Sequence, residues 1–330
     1  MTYRPKYLNI YTRYLSKILV FSTLFLIFVG ALVKSHEVGL SVPDWPTTYG
    51  YQMFSFPFSD MVGGIFYEHG HRMIATIVGF MTLILSVIVY FSNSRIWIKK
   101  ITFLALGLVI LQGIFGGLTV LLFLPAYISI IHAILAQTFL MFTILIAYSL
   151  SKESMNQLVK EKINYIFLTR PAAYVIITIY LQLIFGAIMR HTESGLAIPD
   201  FPLSAGYLFP PFNQEMINII QSMHFDAGLP YVDLYQIVIH YCHRIGALLV
   251  ALSIIYFVWR SINLNIISKR MRQLTALLIT LFIIQISLGA ITIWTLKNPL
   301  ITSMHVLNGA MLLGVGTLII LHVLPLKQIS

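Results

Sequence analysis

Several stretches of this chain exceed the roughly 18 consecutive apolar residues that mark a membrane-spanning helix, and nothing else in the sequence constrains the fold as strongly. Composition agrees. The 330 residues are 58% hydrophobic and only 10% charged, against about 25% charged in a soluble domain. The expected fold is all-α and polytopic: eight transmembrane helices arranged as two pseudo-symmetric four-helix bundles.

The spans are expected at 15–33, 71–91, 101–123, 129–149, 172–190, 237–259, 272–294 and 303–324. The apolar run of the first, Ile18 to Val33, follows Arg13 and Lys17 like a signal peptide, but no small-residue cleavage site comes after it, so it reads as a retained helix. The net charge of +10 does not point to nucleic acid, because the basic residues lie in short loops between the apolar runs. Sixteen of them fall on one side: Arg4, Lys6, Arg13, Lys17, Arg95, Lys99, Lys100, Lys152, Lys160, Lys162, Arg170, Arg260, Lys269, Arg270, Arg272 and Lys327. Five fall on the other: Lys34, Arg72, Arg190, Arg244 and Lys297. The positive-inside bias then puts both termini in the cytoplasm of a multi-pass protein of the cell (inner) membrane, with the loops 34–70 and 191–236 outside.

Those two loops repeat one another. VGLSVPDWPTTYGY (Val38 to Tyr51) matches SGLAIPDFPLSAGY (Ser194 to Tyr207) at an offset of 156. His71-Arg72 then matches His243-Arg244 at 172, and Gln112, Thr119 and His132 match Gln285, Thr292 and His305 at 173. The chain divides into an N-terminal half (1–150), a cytoplasmic linker (151–171) and a C-terminal half (172–330). Both halves start inside, so the repeat is parallel, about an axis along the membrane normal.

Four repeat-matched histidines, His71, His132, His243 and His305, are expected within about a turn of the outer ends of the even-numbered spans. In an up-down bundle the even helices of one half are the diagonal pair. Two imidazoles meeting across a bundle suit an iron ligated from opposite sides, and haem is the cofactor that uses histidine in this way. Ionisable groups at membrane depth are functional by default. Arg72 and Arg244 follow two of these histidines and are candidates for the haem propionates. A rival reading has Glu68, His69 and His71 hold copper or iron directly, but the second half has Tyr241 in place of His69. The single cysteine, Cys242, excludes an internal disulfide and a thiolate cluster, and reads as a small buried filler.

The halves differ three residues before the ligand histidine. The first has Glu68 and the second His240. A carboxylate on the same helix face as the ligand suits proton transfer or stabilisation of positive charge. The first half is therefore the candidate reaction site, and the second the candidate electron-transfer haem. A segment from Glu215 to Phe225 has Met216, Ile219, Ile220 and Met223 at helical spacing, and is expected as a short surface helix.

At these residues the sequence resembles the haem A synthase family. The resemblance is carried by the GLSVPDWP loop (Gly39 to Pro46), its partner GLAIPDFP (Gly195 to Pro202), the Glu68-x-x-His71-Arg72 motif, His132 in HAILAQ, His243-Arg244 and His305. It implies oxidation of the C8 methyl of haem O to a formyl group, giving haem A. It further implies that His71 and His132 flank the substrate haem, that His243 and His305 hold haem b, and that Glu68 is catalytic. Partners would be haem O synthase, assembly factors of a terminal oxidase and the lipid bilayer, with no nucleic acid. Many bacterial members carry a cysteine pair in the first outer loop; this chain has none and is like the cysteine-free branch. Its loop also opens with Lys34-Ser-His-Glu37, where a small-polar Thr-Gly-Ser type is common in the family. The competing functions are a two-haem electron-transfer or quinol-linked membrane protein, and a haem-handling subunit for oxidase assembly.

Overall fold

In hydrocarbon a backbone must satisfy its own hydrogen bonds, and long apolar runs do so as helices. The computed structural model describes residues 10–92, 94–156, 166–263 and 268–324. Eight of its helices are long and apolar enough to cross a membrane: α1 (Ile10–Ser35), α2 (Gly63–Phe91), α3 (Ile96–Leu121), α4 (Ala126–Ser149), α6 (Thr169–His191), α8 (Leu234–Ile262), α9 (Lys269–Trp294) and α10 (Pro299–Val323). Two shorter helices complete the set, α5 (Lys152–Asn156) and α7 (Gln214–Asp226). The described residues contain no strand, only isolated bridges at Thr48–Tyr51 and Ser204–Tyr207. This is an all-α polytopic membrane protein. Arg4, Lys6, Lys160, Lys162, Lys327 and residues 157–165 of the linker lie outside the described residues.

The helices run past the apolar stretches that announce them. Polar caps extend them: Asn298 accepts from the N–H groups of Leu300 and Ile301 ahead of Pro299, and Gln236 accepts from the N–H of Asp233 at the start of α8. The consequence is a correction. His71, His132, His243 and His305 lie about two turns inside their helices, not within a turn of the ends.

Helices α1 to α4 close a ring, each packing on the next and α4 returning to α1. Helices α6, α8, α9 and α10 close a second ring in the same order. The rings meet where α10 lies against α1 and α4, and α4 against α6. Each ring has its own core, around Leu19, Val78, Leu85 and Phe139 in one and Val175, Phe257, Leu278 and Leu313 in the other. A third cluster, with Leu140, Ile144 and Ala310, fills the joint. The surface helix expected at 215–225 is α7, seated by Met216 and Ile220 on the second long loop. Cys242 is exposed, not the buried filler its neighbours implied. It sits between His240 and His243 in sequence but on the opposite side of α8, since consecutive helical residues are about 100° apart.

Candidate functional site

Each of the four histidines rests on a glycine of a neighbouring helix. A Cβ built on Gly30 would stand 2.9 Å from Cε1 of His71. On Gly116 it would stand 3.2 Å from Cε1 of His132, and the same distance separates Gly186 from His243 and Gly289 from His305. These glycines obey the repeat, Gly30 matching Gly186 at 156 and Gly116 matching Gly289 at 173. They are functional candidates that the sequence reading passed over, although their offsets were there to be seen. His71 on α2 and His132 on α4 lie within electrostatic reach of each other, as do His243 on α8 and His305 on α10.

The Nδ1 atoms of His71, His132 and His305 are buried and have no hydrogen-bond partner. Such a group costs about 1–3 kcal/mol unless something else uses the imidazole. Among the described residues no three His, Cys, Asp or Glu side chains gather into a metal-holding group. Two imidazoles per half are too few for a bare ion. They suffice for an iron that brings four porphyrin nitrogens of its own, so the donor set fits haem. His69 does not join in. Its Nδ1 lies 2.8 Å from Oγ1 of Thr48 and its ring packs on Phe56, which ties it to the loop.

Above the histidines, the two long loops are clamped by the same bonds. Arg72 donates to the carbonyls of Val42 (2.9 Å), Asp44 (2.7 Å) and Thr47 (3.1 Å). Arg244 donates to Ile198 (3.1 Å), Asp200 (2.7 Å) and Leu203 (2.7 Å), the same three positions shifted by 156. The loop carboxylates fold each turn in parallel. Asp44 accepts from the N–H groups of Tyr49 and Gly50, and Asp200 from those of Ala205 and Gly206. Partial burial opposes charge on Asp44, but the Gly50 N–H, the Thr47 hydroxyl and the Tyr49 N–H outweigh it and bring its carboxyl down to about 2. Trp45 closes the first loop against Gly117 of α3. Both arginines are expected at propionates; in the structure their Nη groups reach loop carbonyls, and Nε of Arg244 is buried without a partner.

Glu68 belongs to this clamp. Its Oε2 accepts from the Val42 N–H (2.8 Å) and its Oε1 from Nη2 of Arg72 (2.6 Å), with the carboxylate almost wholly buried. In the second half His240 takes the matching bond, its Nδ1 accepting from the Ile198 N–H at 3.2 Å. One anchoring position is thus filled by a carboxylate in one half and an imidazole in the other.

The halves are also tied to each other on the loop side. Arg190 of α6 donates to the Ala31 carbonyl (2.6 Å) and to Oγ of Ser35 (2.8 Å) on α1. Lys34 pairs with Glu193, which Lys297 approaches at 3.6 Å.

Residues 13–317 match the family model described as cytochrome oxidase assembly protein, COX15-CtaA. The chain belongs to that family. Among its relatives is the haem A synthase of Lysinibacillus sphaericus, 22% identical over 316 residues that cover 92% of this chain and 93% of that protein. The haem A synthase of Shewanella oneidensis is 24% identical over 293 residues, 84% of this chain and 86% of that one. A shorter match, to the haem A synthase of Oceanobacillus iheyensis, reaches 33% over 118 residues, 34% of this chain and 37% of that protein. These relatives are enzymes, and this COX15-CtaA member is an oxidoreductase.

Proposed function

We propose that this chain is a haem A synthase that oxidises the C8 methyl of haem O to a formyl group. In this reading residues 1–150 hold the substrate between His71 and His132, residues 172–330 hold haem b between His243 and His305, and 151–171 join the halves. Haem b, when bound, supplies electrons to the first half. Each of two successive hydroxylations consumes dioxygen, two electrons and two protons, placing one oxygen atom on the methyl carbon and releasing the other as water; the second gives a gem-diol, which loses water to the aldehyde. Both termini lie in the cytoplasm and the haem sites near the outer face of the cell membrane. Haem O arrives from haem O synthase, and haem A leaves toward factors that assemble the terminal oxidase.

The observation that carries this reading is the exchange of Glu68 for His240 at one anchoring position. The loop needs only an acceptor there, and an imidazole serves. A carboxylate beside the His71 side of the site adds the ability to take a proton or to offset positive charge growing on the methyl carbon. The Val42 N–H and Arg72 hold its two oxygens in place. A pure electron carrier has no use for this difference.

The test is to express the chain with a haem O source, extract the haems and weigh them. Haem A or its hydroxylated precursor should form, and should vanish in Glu68→Ala. Two unmodified b-type haems without turnover of haem O would put the two-haem electron-transfer reading in its place.

A further inference from the structure

Three of the four imidazoles lie against a glutamine amide. Nε2 of Gln112 donates to the backbone carbonyl of His132 (3.0 Å) and stands 3.3 Å from its Nε2. Nε2 of Gln285 stands 3.4 Å from Nε2 of His305, and its Oε1 accepts from Asn308 at 2.7 Å. Nε2 of Gln182 donates to the carbonyl of His243 (2.8 Å) and sits 3.2 and 3.3 Å from the two ring nitrogens. Among the described residues His71 has no such neighbour; its unpartnered Nδ1 it shares with His132 and His305.

The reason is a paired replacement. Gln182 on α6 is matched at an offset of 156 by Leu26 on α1. Gly246 on α8 lies directly under the Gln182 amide, so that a side chain there would strike it. Its match at 172 is Ile74 on α2. A polar pair that lies against the imidazole in one half is an apolar pair in the other, and Leu26 and Ile74 pack on the first core. An amide hydrogen-bonded to the histidine's own backbone resists rotation of the ring away from the bundle axis. A leucine offers no directional bond and no such resistance.

This bears on a demand of the chemistry proposed above. A site that converts one haem into another must admit the substrate and let the product go, while the electron-transfer haem stays. We infer that His71 is the releasing ligand: it swings clear to open the first-half site while Gln112 keeps His132 in position, and Gln182 prevents the equivalent movement of His243. Leu26 and Gln182, with Ile74 and Gly246, are then the positioning residues that make one haem exchangeable and the other resident. The inference rests on the reading that each half clasps a haem between its two histidines.

The experiment follows haem transfer from the purified, haem-loaded protein to excess apomyoglobin by absorbance. Wild type should lose haem in a fast and a slow phase of equal amplitude. Leu26→Gln with Ile74→Gly should slow the fast phase roughly tenfold, the worth of about one hydrogen bond. Gln182→Leu with Gly246→Ile should speed the slow phase by a similar factor. The single changes Leu26→Gln and Gln182→Leu give the same ordering if a double variant does not fold. Two phases that ignore all four variants, in proteins whose low-spin spectra are intact, would overturn the inference and leave the two-haem reading standing. Wild-type protein that binds no haem would overturn that reading itself.

Discussion

The two halves are alike where they hold their loops and unlike where they face their histidines. Arg72 and Arg244 grip the same three carbonyls, Asp44 and Asp200 the same two N–H groups, and all four imidazoles rest on glycines. Four departures lie within a turn or two of His71 and His243 or on the helix beside them: Glu68 for His240, His69 for Tyr241, Ile74 for Gly246 and Leu26 for Gln182. The halves differ at many further positions, but these lie beside the paired histidines, and in the proposed function they are the ones that divide the labour. A protein with two haems of equal purpose would have no need to differ there.

The sharpest way to break the comparison is Glu68→His, which gives the first half the anchoring residue of the second. The loop keeps an acceptor for the Val42 N–H, so haem content should hold. Haem A formation should fall roughly 10²–10⁴-fold, the usual weight of a lost general acid–base. Unchanged haem A yield, measured by mass after extraction, would reduce Glu68 to a loop anchor.

Next comes the clamp. Arg72→Ala strands the buried Glu68 carboxylate without its cation, and breaking such a pair costs about 3–5 kcal/mol. Arg244→Ala removes bonds to carbonyls and one hydroxyl, a loss of about 1–3 kcal/mol. The melting temperature in detergent should drop further for Arg72→Ala. Equal drops would mean that the ion pair adds nothing to the clamp.

Smaller effects are due at the glycines. Gly30→Ala makes the closer approach, 2.9 Å against 3.2 Å for Gly186→Ala. The larger shift in low-spin haem g-values is nevertheless expected from Gly186→Ala, because the Gln182 amide at 3.2–3.3 Å holds the His243 ring against the new methyl and His71 has no such amide. The reverse order would contradict it.

The smallest effect concerns Asp44. Its folded pKa of about 2 lies below the ordinary 3.8, so its contribution is complete above pH 3.8 and is lost as pH falls through about 2. The stability gap between wild type and Asp44→Asn should close over that window and stay constant above it.

Much of this was legible in the sequence because a membrane leaves few options. Apolar run length gave the helices, the repeat gave the pairing of loops and histidines, and three-residue spacing singled out Glu68 and His240. The loop bonds of the arginines were not foreseen. Arg72 follows His71 directly and so points about 100° away from it, whereas Glu68 and Arg72 are four apart, the spacing of a helical ion pair. Helix starts were placed too late because hydropathy records where the apolar residues begin and not where caps such as Asn298 let the helix begin. The glutamine contacts could not be read at all, since Gln112 and Gln285 appeared only as repeat markers and Gln182 has no match in the first half.

If each ring of helices clasps one haem between its own two histidines, each pair should account for one haem. The visible spectrum and haem stoichiometry of three purified proteins test it: wild type, His71→Ala with His132→Ala, and His243→Ala with His305→Ala. Two haems are expected in wild type and one in each double variant, with haem b retained only where His243 and His305 remain. A protein without Soret absorbance, or a stoichiometry that ignores which pair is removed, would contradict it.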